Sequence, residues 1–361
     1  MIMKKVLIIS TPFFGYPNSI ARAFEKLGYE CRIDAYDLPV HPFKGWNKWA
    51  HKFCSDKEAF ETRNYALYND YIKPVFDSYK PDIVYIYDGS ILFDETLDYF
   101  RAGGASAGMA NAAGSEVSSA HPAKIIIWMY DSVQNPRFAR CRSHIDHCDA
   151  FFCFEQKDVE MYATEGRKAF FMPLACDTAV YHPIEPAPEK DIDIFFAGAI
   201  YSSIRRRRIL EEVADRYGAK GLDLKFYGRY KPFEKDPLGC IFRGRRDVFT
   251  NRNIQPQVVN GMLNRSKIAF NVHHEQTITG ANQRVFEVCG SGCYQICDAN
   301  EFLEKLFPNG EVGLYHSDEE MFALIDNALS HDMSRQAAEA RQIILKGHTF
   351  EARVEEMLSH I

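Results

Sequence analysis

No run of apolar residues in this chain approaches the roughly 20 that a helix needs to span a bilayer, so the sequence reads as soluble or at most peripheral to a membrane. A basic surplus is missing too: 43 Lys and Arg stand against 49 Asp and Glu, a net charge of -6. Nucleic-acid binders normally carry the opposite balance, and that class is set aside. Of the ten cysteines none forms a Cys-x-x-Cys pair, and they sit mostly in apolar runs such as Phe151-Phe-Cys-Phe154. Reduced core thiols of a cytoplasmic protein fit that usage better than a secreted disulfide frame. No Gly-x-Gly-x-x-Gly follows the first apolar run; Thr11-Pro-Phe-Phe-Gly15 stands there, which disfavours an oxidoreductase. The N-terminal apolar core is only Val6 to Ile9, broken by Pro12 and Gly15. It reads as a first buried strand and not as a signal peptide.

What is present is an ordinary globular composition, 46% hydrophobic and 25% charged over 361 residues, long enough for two cores. Short apolar runs alternate with helical patterns throughout, predicting parallel sheets covered by helices. In the first half, strands are expected at 5–10, 30–36, 83–87, 125–129, 150–154 and 169–172, with helices near 19–27, 57–78, 95–101 and 156–165. Residues 103–120 are almost wholly Ala, Gly and Ser, an insertion without the apolar side chains to pack. A second series follows: strands at 192–197, 222–227, 267–272, 294–297 and 312–315, helices at 203–217, 256–264, 282–288, 300–307, 318–330, 333–347 and 350–360. The fold class is therefore α/β, two doubly wound domains facing across a cleft, with ligands expected at the C-terminal strand ends. Residues 1–180 form the N-terminal domain, the Pro-rich 181–190 a hinge, and 191–361 the C-terminal domain, its last helix packing back on the first.

The densest signal is Lys267-Ile-Ala-Phe-Asn-Val-His-His-Glu-Gln-Thr-Ile-Thr-Gly-Ala-Asn-Gln-Arg-Val-Phe-Glu287. A strand ending near Asn271 and His273 feeds a helix opening near Asn282 through Thr279 and Gly280, whose small size and N–H groups suit a phosphate. Arg284 and Glu287 share the next helical face; the carboxylate suits a sugar's paired hydroxyls, or the two simply pair with each other. Earlier, Ser202-Ser-Ile-Arg-Arg-Arg-Arg208 follows a strand ending at Ala197-Gly198. The serines cap a helix, so the arginines enter its first turn, where positive charge opposes the dipole by roughly 0.3–1 kcal/mol each. A bound diphosphate reverses that sign, and Arg205 and Arg206 are the favoured ligands; the alternative is a solvated basic face.

Asp131 and Asp88 each end a strand-like run, Ile125-Ile-Ile-Trp-Met-Tyr-Asp131 and Ile83-Val-Tyr-Ile-Tyr-Asp88. Either suits a general base toward an acceptor hydroxyl, Asp131 better because the irregular Asn135-Pro136-Arg137 follows it; helix capping is the alternative. Cys141, His144 and Cys148 would share a face if their segment were an α-helix, although two core cysteines beside half-exposed histidines is the plainer reading. His273-His274-Glu275 is read as a cleft lining and not as a metal cluster. Trp46 and Trp49 lie in the aromatic, basic Phe43-Lys-Gly-Trp-Asn-Lys-Trp-Ala-His-Lys-Phe53. An amphipathic helix packed on the core is expected there, with an acceptor sugar or an anionic membrane surface as the other choices.

With these residues placed, the second half resembles the glycosyltransferases of the two-Rossmann (B-type, GT-B) architecture, most closely the group related to spore-maturation CgeB-type proteins. The matching features are Phe195-Phe-Ala-Gly198 with its arginines, Tyr227-Gly228, Asn264-Arg-Ser-Lys-Ile-Ala-Phe-Asn271, and Asn282-x-Arg284-x-Phe-Glu287 before Cys-Gly. Asp298, His348-Thr-Phe-x-x-Arg353 and the hinge-like Leu174-Ala-Cys-Asp177 complete the set. The N-terminal half is similar only loosely, through Trp128-x-x-Asp131.

The resemblance implies a nucleotide-diphosphate sugar as donor, a glycan or other hydroxyl as acceptor, and no metal or other cofactor. It implies that Glu287 holds the ribose, that Arg205, Arg206 and Gly280 hold the diphosphate, and that Tyr227 and Gly228 lie near the base or phosphates. Gly198, Asn271, His273, Thr279, Asn282 and Arg284 complete the expected donor site. Many retaining relatives carry a paired-Glu pattern whose first place falls on Thr279 here, so the donor-sugar contacts and stereochemistry are not implied. An epimerase of the same architecture and a non-catalytic nucleotide-binding protein are the rival readings.

Overall fold

The computed structural model describes residues 3–12, 15–36, 41–104, 120–232, 238–239, 245–275 and 277–361; most of the Ala/Gly/Ser-rich insertion expected at 103–120 lies outside them. The chain forms two compact units, Met1–Met172 with Glu351–Ile361, and Pro173–Phe350. Each is a parallel α/β layer structure of the Rossmann type.

The N-terminal unit runs β1 (Lys5–Ser10), α1 (Tyr16–Lys26), β2 (Glu30–Ala35), α2 (Gly45–Phe53), α3 (Lys57–Tyr79), β3 (Ile83–Tyr87), α4 (Asp94–Ala102) and β4 (Lys124–Met129). A 3-10 helix (Pro136–His147) then leads to β5 (Ala150–Cys153), α5 (Gln156–Thr164) and β6 (Phe170–Phe171). Its six strands are parallel in the order β2-β1-β3-β4-β5-β6. Helices cover both faces, which is why the central strands are apolar runs without alternation: every residue of β3 is buried. At roughly 1.5–3 kcal/mol for each large side chain removed from water, Ile8, Val84, Ile86, Ile125 and Ile127 hold the sheet to its helices.

The second unit runs β7 (Ile192–Ala197), α6 (Ile204–Gly218), β8 (Leu224–Tyr227), α7 (Pro256–Arg265), β9 (Ser266–Asn271), α8 (Gln283–Ser291) and β10 (Tyr294–Asp298). It continues with α9 (Glu301–Leu306), β11 (Gly313–Tyr315), α10 (Asp318–Ser330) and α11 (Ser334–Gly347). A last helix, α12 (Phe350–Leu358), lies almost wholly in the segment that belongs to the first unit. The five strands are parallel, ordered β11-β10-β9-β7-β8. Strand order therefore reverses between β1 and β3 in one sheet and between β7 and β9 in the other. Outside the C-terminal ends of such strands, ligands of open α/β sheets bind.

Two local departures from expectation have physical causes. Helix α8 does not stop at Val288 before Gly290; it continues to Ser291 and ends at Gly292, in the left-handed region at φ 75°. Gly290 is inside the helix because a Cβ there would stand 2.2 Å from the Cys176 sulfur, so the glycine permits packing and does not signal a stop. The 181–190 stretch, expected as a hinge, belongs to the second unit. Asn260 and Asn264 of α7 bind it: His182 N donates to Asn260 Oδ1 at 3.2 Å and Ile184 N to Asn264 Oδ1 at 2.8 Å.

Gly228 shows how closely the loops after β7 and β8 approach. A Cβ there, at φ 141°, would lie 1.9 Å from the Gly198 carbonyl oxygen. Gly228→Ala should therefore lower stability by about 1–3 kcal/mol, read as an earlier urea midpoint. Gly218→Ala, at the end of α6 with nothing within 4 Å, should leave the midpoint unchanged or raise it by up to about 1 kcal/mol.

Candidate active site

At the switch point of the second sheet, β7 runs out through Gly198 and Ala199 and β9 through Val272 and His273. Arg206, in the first turn of α6, joins the two loops. Its Nε donates to the Val272 carbonyl at 2.9 Å and Nη1 to the Ala199 carbonyl at 2.8 Å. The side chain is buried, and burial lowers the guanidinium to about 10, so it remains charged at neutral pH. Arg206, expected as a diphosphate ligand, gives two of its donors to backbone oxygens.

Arg205 beside it is different. It is half-exposed, with Nη1 2.8 Å from Asp298 Oδ2 at the end of β10. Asp298 also accepts from the His273 backbone N–H and ring Nδ1, each at 2.8 Å. Burial opposes the Asp298 charge, but the hydrogen bonds from His273 and Arg205 overcome it and hold the carboxyl well below the usual carboxylate range. A carboxylate only accepts, so Nδ1 of His273 donates. Among the described residues its Nε2 is buried without a hydrogen-bond partner. Asp298 entered the sequence reading only through the family resemblance. The rule that picked out Asp88 and Asp131, a carboxylate at the end of an apolar run, would have found it.

The mouth of α6 already holds an anion of the chain's own. Ser203 caps the helix, accepting from Arg206 N at 2.9 Å, and donates its hydroxyl to Glu275 Oε1 at 2.7 Å. Arg205 N–H reaches the same oxygen at 3.2 Å. This carboxylate answers the unpaired N–H groups and positive dipole of the helix start. His274 turns instead to the Ser202 carbonyl, at 3.1 Å.

The second mouth is that of α8. Asn282 caps it, accepting from Val285 N at 3.3 Å, and exchanges paired amide bonds of 3.0 Å with Asn271. The strand end and helix start are thereby locked together. Before them lie half-buried Thr279 and buried Gly280; the Gly280 carbonyl accepts from Asn300 at 2.7 Å. Inside α8, Arg284 and Glu287 pair at 2.6 Å with the Glu287 side chain 3% exposed, and the Tyr181 phenol hydrogen-bonds with both. Tyr227, half-buried at the end of β8, accepts from Gly198 N at 3.0 Å.

In the N-terminal unit, Asp88 leaves β3 at a left-handed φ of 57°, followed by Gly89 at 76°. That costs a non-glycine residue roughly 1–3 kcal/mol, and the turn aims the Asp88 carboxyl across to β4, where Oδ1 accepts from Tyr130 N at 2.7 Å. Burial and then the neighbouring Asp131 charge push Asp88 well above the ordinary carboxylate range, against the pull of backbone N–H groups of Tyr130 and Asp131. Tyr87 and Tyr130 pack at 4.1 Å beside the pair, with Tyr16 5.8 Å from Tyr130. Buried Asp158, which the sequence reading missed, holds the loop after Asp131. It accepts from Ser132 Oγ at 2.8 Å, Val133 N at 3.1 Å and Gln134 Nε2 at 3.0 Å. Asp88 and Asp131 thus come together, as two separate candidates had not foretold.

Cys141 to Cys148 is not an α-helix. In the 3-10 helix, with three residues per turn, Cys141, His144 and His147 align, and Cys148 lies beyond the end. His144 and His147 approach Asp94 at 3.6 and 3.7 Å, and burial lowers His144 to about 4. Among the described residues no group of three or more His, Cys, Asp or Glu is arranged to hold a metal ion.

Residues 205–359 match a family model described as glycosyl transferase-like. No curated protein matches the chain in sequence. Among solved structures, the chain is similar to a UDP-forming α,α-trehalose-phosphate synthase from Burkholderia xenovorans at TM-score 0.63 and 10% identity, covering 99% of this chain and 98% of that one. A sucrose-phosphate synthase from Thermosynechococcus elongatus matches at TM-score 0.62 and 11% identity, covering 99% and 98%. A glycosyltransferase from Rickettsia africae matches at 0.58 and 12%, again covering 99% and 98%. The fold is that of the two-Rossmann (GT-B) glycosyltransferases. At these identities it is the fold that is shared.

The Asp298 centre carries a pH signature. Its folded value lies below the unfolded one of about 3.9, so its contribution is complete above roughly pH 4 and is lost as pH falls through the folded value. Asp298→Asn should cost about 1–3 kcal/mol at pH 7, at the low end because Arg205 is 41% exposed. Urea midpoints of variant and parent should stay apart between about pH 7 and pH 5 and begin to approach each other only below about pH 4.

Proposed function

We propose that this protein is a glycosyltransferase that moves a sugar from a nucleotide-diphosphate donor to a hydroxyl acceptor, the C-terminal unit holding the donor. The observation that carries this is Arg205. It is a half-exposed guanidinium at the mouth of α6 and the β7/β9 switch point, inside the glycosyl transferase-like region. A diphosphate there would replace the Glu275 carboxylate on Ser203 and the α6 N–H groups, and would draw on Arg205 for charge. Leaving-group charge would then be met by a fixed cation and backbone dipoles, so the proposal includes no metal. Glu287 is the proposed partner of the ribose hydroxyls, with Arg284 as its counter-ion. Arg206 holds the two loops in place.

For the acceptor, Asp131 is the proposed base. Asp88, pushed upward by burial and by its neighbour, retains the proton that two close carboxyls share, which leaves Asp131 to receive one. Tyr16, half-buried beside them, offers a flat apolar face of the kind sugar rings stack on. A cell-surface glycan or related hydroxyl compound is the proposed acceptor class, and the cytoplasm the proposed compartment.

The test is a thermal-shift panel of UDP-, GDP-, TDP- and CDP-sugars without added metal, beginning with uridine donors because the similar trehalose-phosphate synthase is described as UDP-forming. One nucleotide class should stabilise the protein, and Arg205→Ala should reduce that affinity about tenfold or more, in line with loss of a charge-assisted contact. Asp131→Asn should keep the nucleotide shift and lose sugar transfer at least about a hundredfold. No shift with any donor contradicts the proposal. Conversion of the donor sugar without an acceptor would indicate an epimerase, and a shift with unchanged behaviour of Asp131→Asn a binding protein.

A further inference from the structure

Helix α2 is amphipathic in the reverse sense. At about 100° per residue, Asn47 and His51 share one face, and both turn inward on α3: Asn47 Nδ2 donates to Asn64 Oδ1 at 2.9 Å and His51 Nε2 lies 2.7 Å from Glu61. Trp46, Trp49, Ala50 and Phe53 share the opposite face, and no residue of the helix is buried. Trp46 is 89% exposed, Trp49 59% and Phe53 76%. The rings of Trp49 and Phe53 stack at 6.5 Å, so the two form one surface; Phe43, 41% exposed, lies instead against His51, with ring centroids 5.1 Å apart. The sequence reading expected this helix to pack its aromatics on the core. The structure places them in solvent.

Large aromatics are not left in water in such a row without a reason, and the charges beside them say what covers them. From Phe43 to Cys54 the chain carries Lys44, Lys48 and Lys52 and no Asp or Glu, in a protein whose net charge is -6. Lys48 and Lys52 border the aromatic face on one side, and Lys52 Nζ lies 5.8 Å from the Trp49 ring centroid and 5.7 Å from that of Phe53. Tryptophan and phenylalanine on one face with lysines along its border is the pattern of helices that lie in the headgroup layer. Their rings sit at the acyl boundary, and their ammonium groups snorkel to lipid phosphates.

We infer that α2 docks the N-terminal unit on an anionic lipid surface, with Trp46, Trp49 and Phe53 inserted among the headgroups and Lys44, Lys48 and Lys52 against the phosphates. The protein would then work at a membrane without crossing it; among the described residues no helix is long and apolar enough to span one. This inference stands independently of the proposed chemistry, because α2 carries none of the site residues.

The full-length chain is tested by co-sedimentation at roughly 0.15 M salt with vesicles of phosphatidylglycerol and phosphatidylcholine in equal parts, and with phosphatidylcholine alone. Tryptophan emission is followed in parallel. Of the three tryptophans, Trp128 is fully buried, so a blue shift on binding reports Trp46 and Trp49. Binding to the anionic vesicles, with a blue shift and much weaker binding to phosphatidylcholine, is expected. Trp46→Ser with Trp49→Ser should weaken it about tenfold or more, and Lys48→Glu and Lys52→Glu roughly fivefold each, with melting temperature and nucleotide-induced shift unchanged. The inference is overturned by absence of binding to anionic vesicles, by equal binding to both vesicle types, or by a tryptophan variant that binds like the parent. Reversible self-association that the tryptophan variants abolish would overturn it as well, by showing that a second copy covers the face.

Discussion

The C-terminal unit depends on one buried cation. Arg206 spans the loops that leave β7 and β9, and its two hydrogen bonds to backbone carbonyls fix the gap where the sheet reverses its strand order. Charged side chains are rarely buried because desolvation is expensive; this one meets that cost with fixed guanidinium donors to two backbone oxygens. With those loops held, Arg205 on the next position is directed outward to Asp298, and the N–H groups of α6 open toward the same space. Adjacent arginines thus take different parts, Arg206 in holding the loops and Arg205 in the proposed donor site.

Preorganisation extends outward from that point by further polar locks. Asp298 gathers His273 and Arg205, the Asn271–Asn282 exchange ties a strand end to the start of α8, and Glu275 occupies the anion position of α6. Each holds a donor or a charge in place before a ligand arrives, the condition under which electrostatic stabilisation is most effective. In the other unit, the left-handed backbone at Asp88 brings a second carboxyl against Asp131, so two acids with unlike environments stand side by side.

Most of the fold was legible in the sequence because buried parallel strands write themselves as apolar runs and helices as periodic ones. Strand β1, from Lys5 to Ser10, and strand β7, from Ile192 to Ala197, fall where the apolar runs placed them. Glycine was less readable: Gly290 sits mid-helix for lack of space, which no local pattern reports. The candidate residues could be located from the sequence, but not their partners. A run of arginines after Ser203 shows that cations enter a helix start, but not which one turns inward, since that depends on carbonyls from a strand far away in sequence. Helix α2 misled for a related reason. Its periodicity shows two faces, and only the partners of Asn47 and His51 reveal which of them meets the protein.

The central claim is that the paired loops and the mouth of α6 form a nucleotide-diphosphate site. It is tested most directly by amide hydrogen exchange with and without a saturating nucleotide-diphosphate sugar. Slower exchange is predicted in the segments around 199–209 and 271–287, with Glu275 released and the α6 N-terminal amides newly protected. Protection confined to other parts of the chain, or none at all under conditions where the ligand is bound, would contradict it.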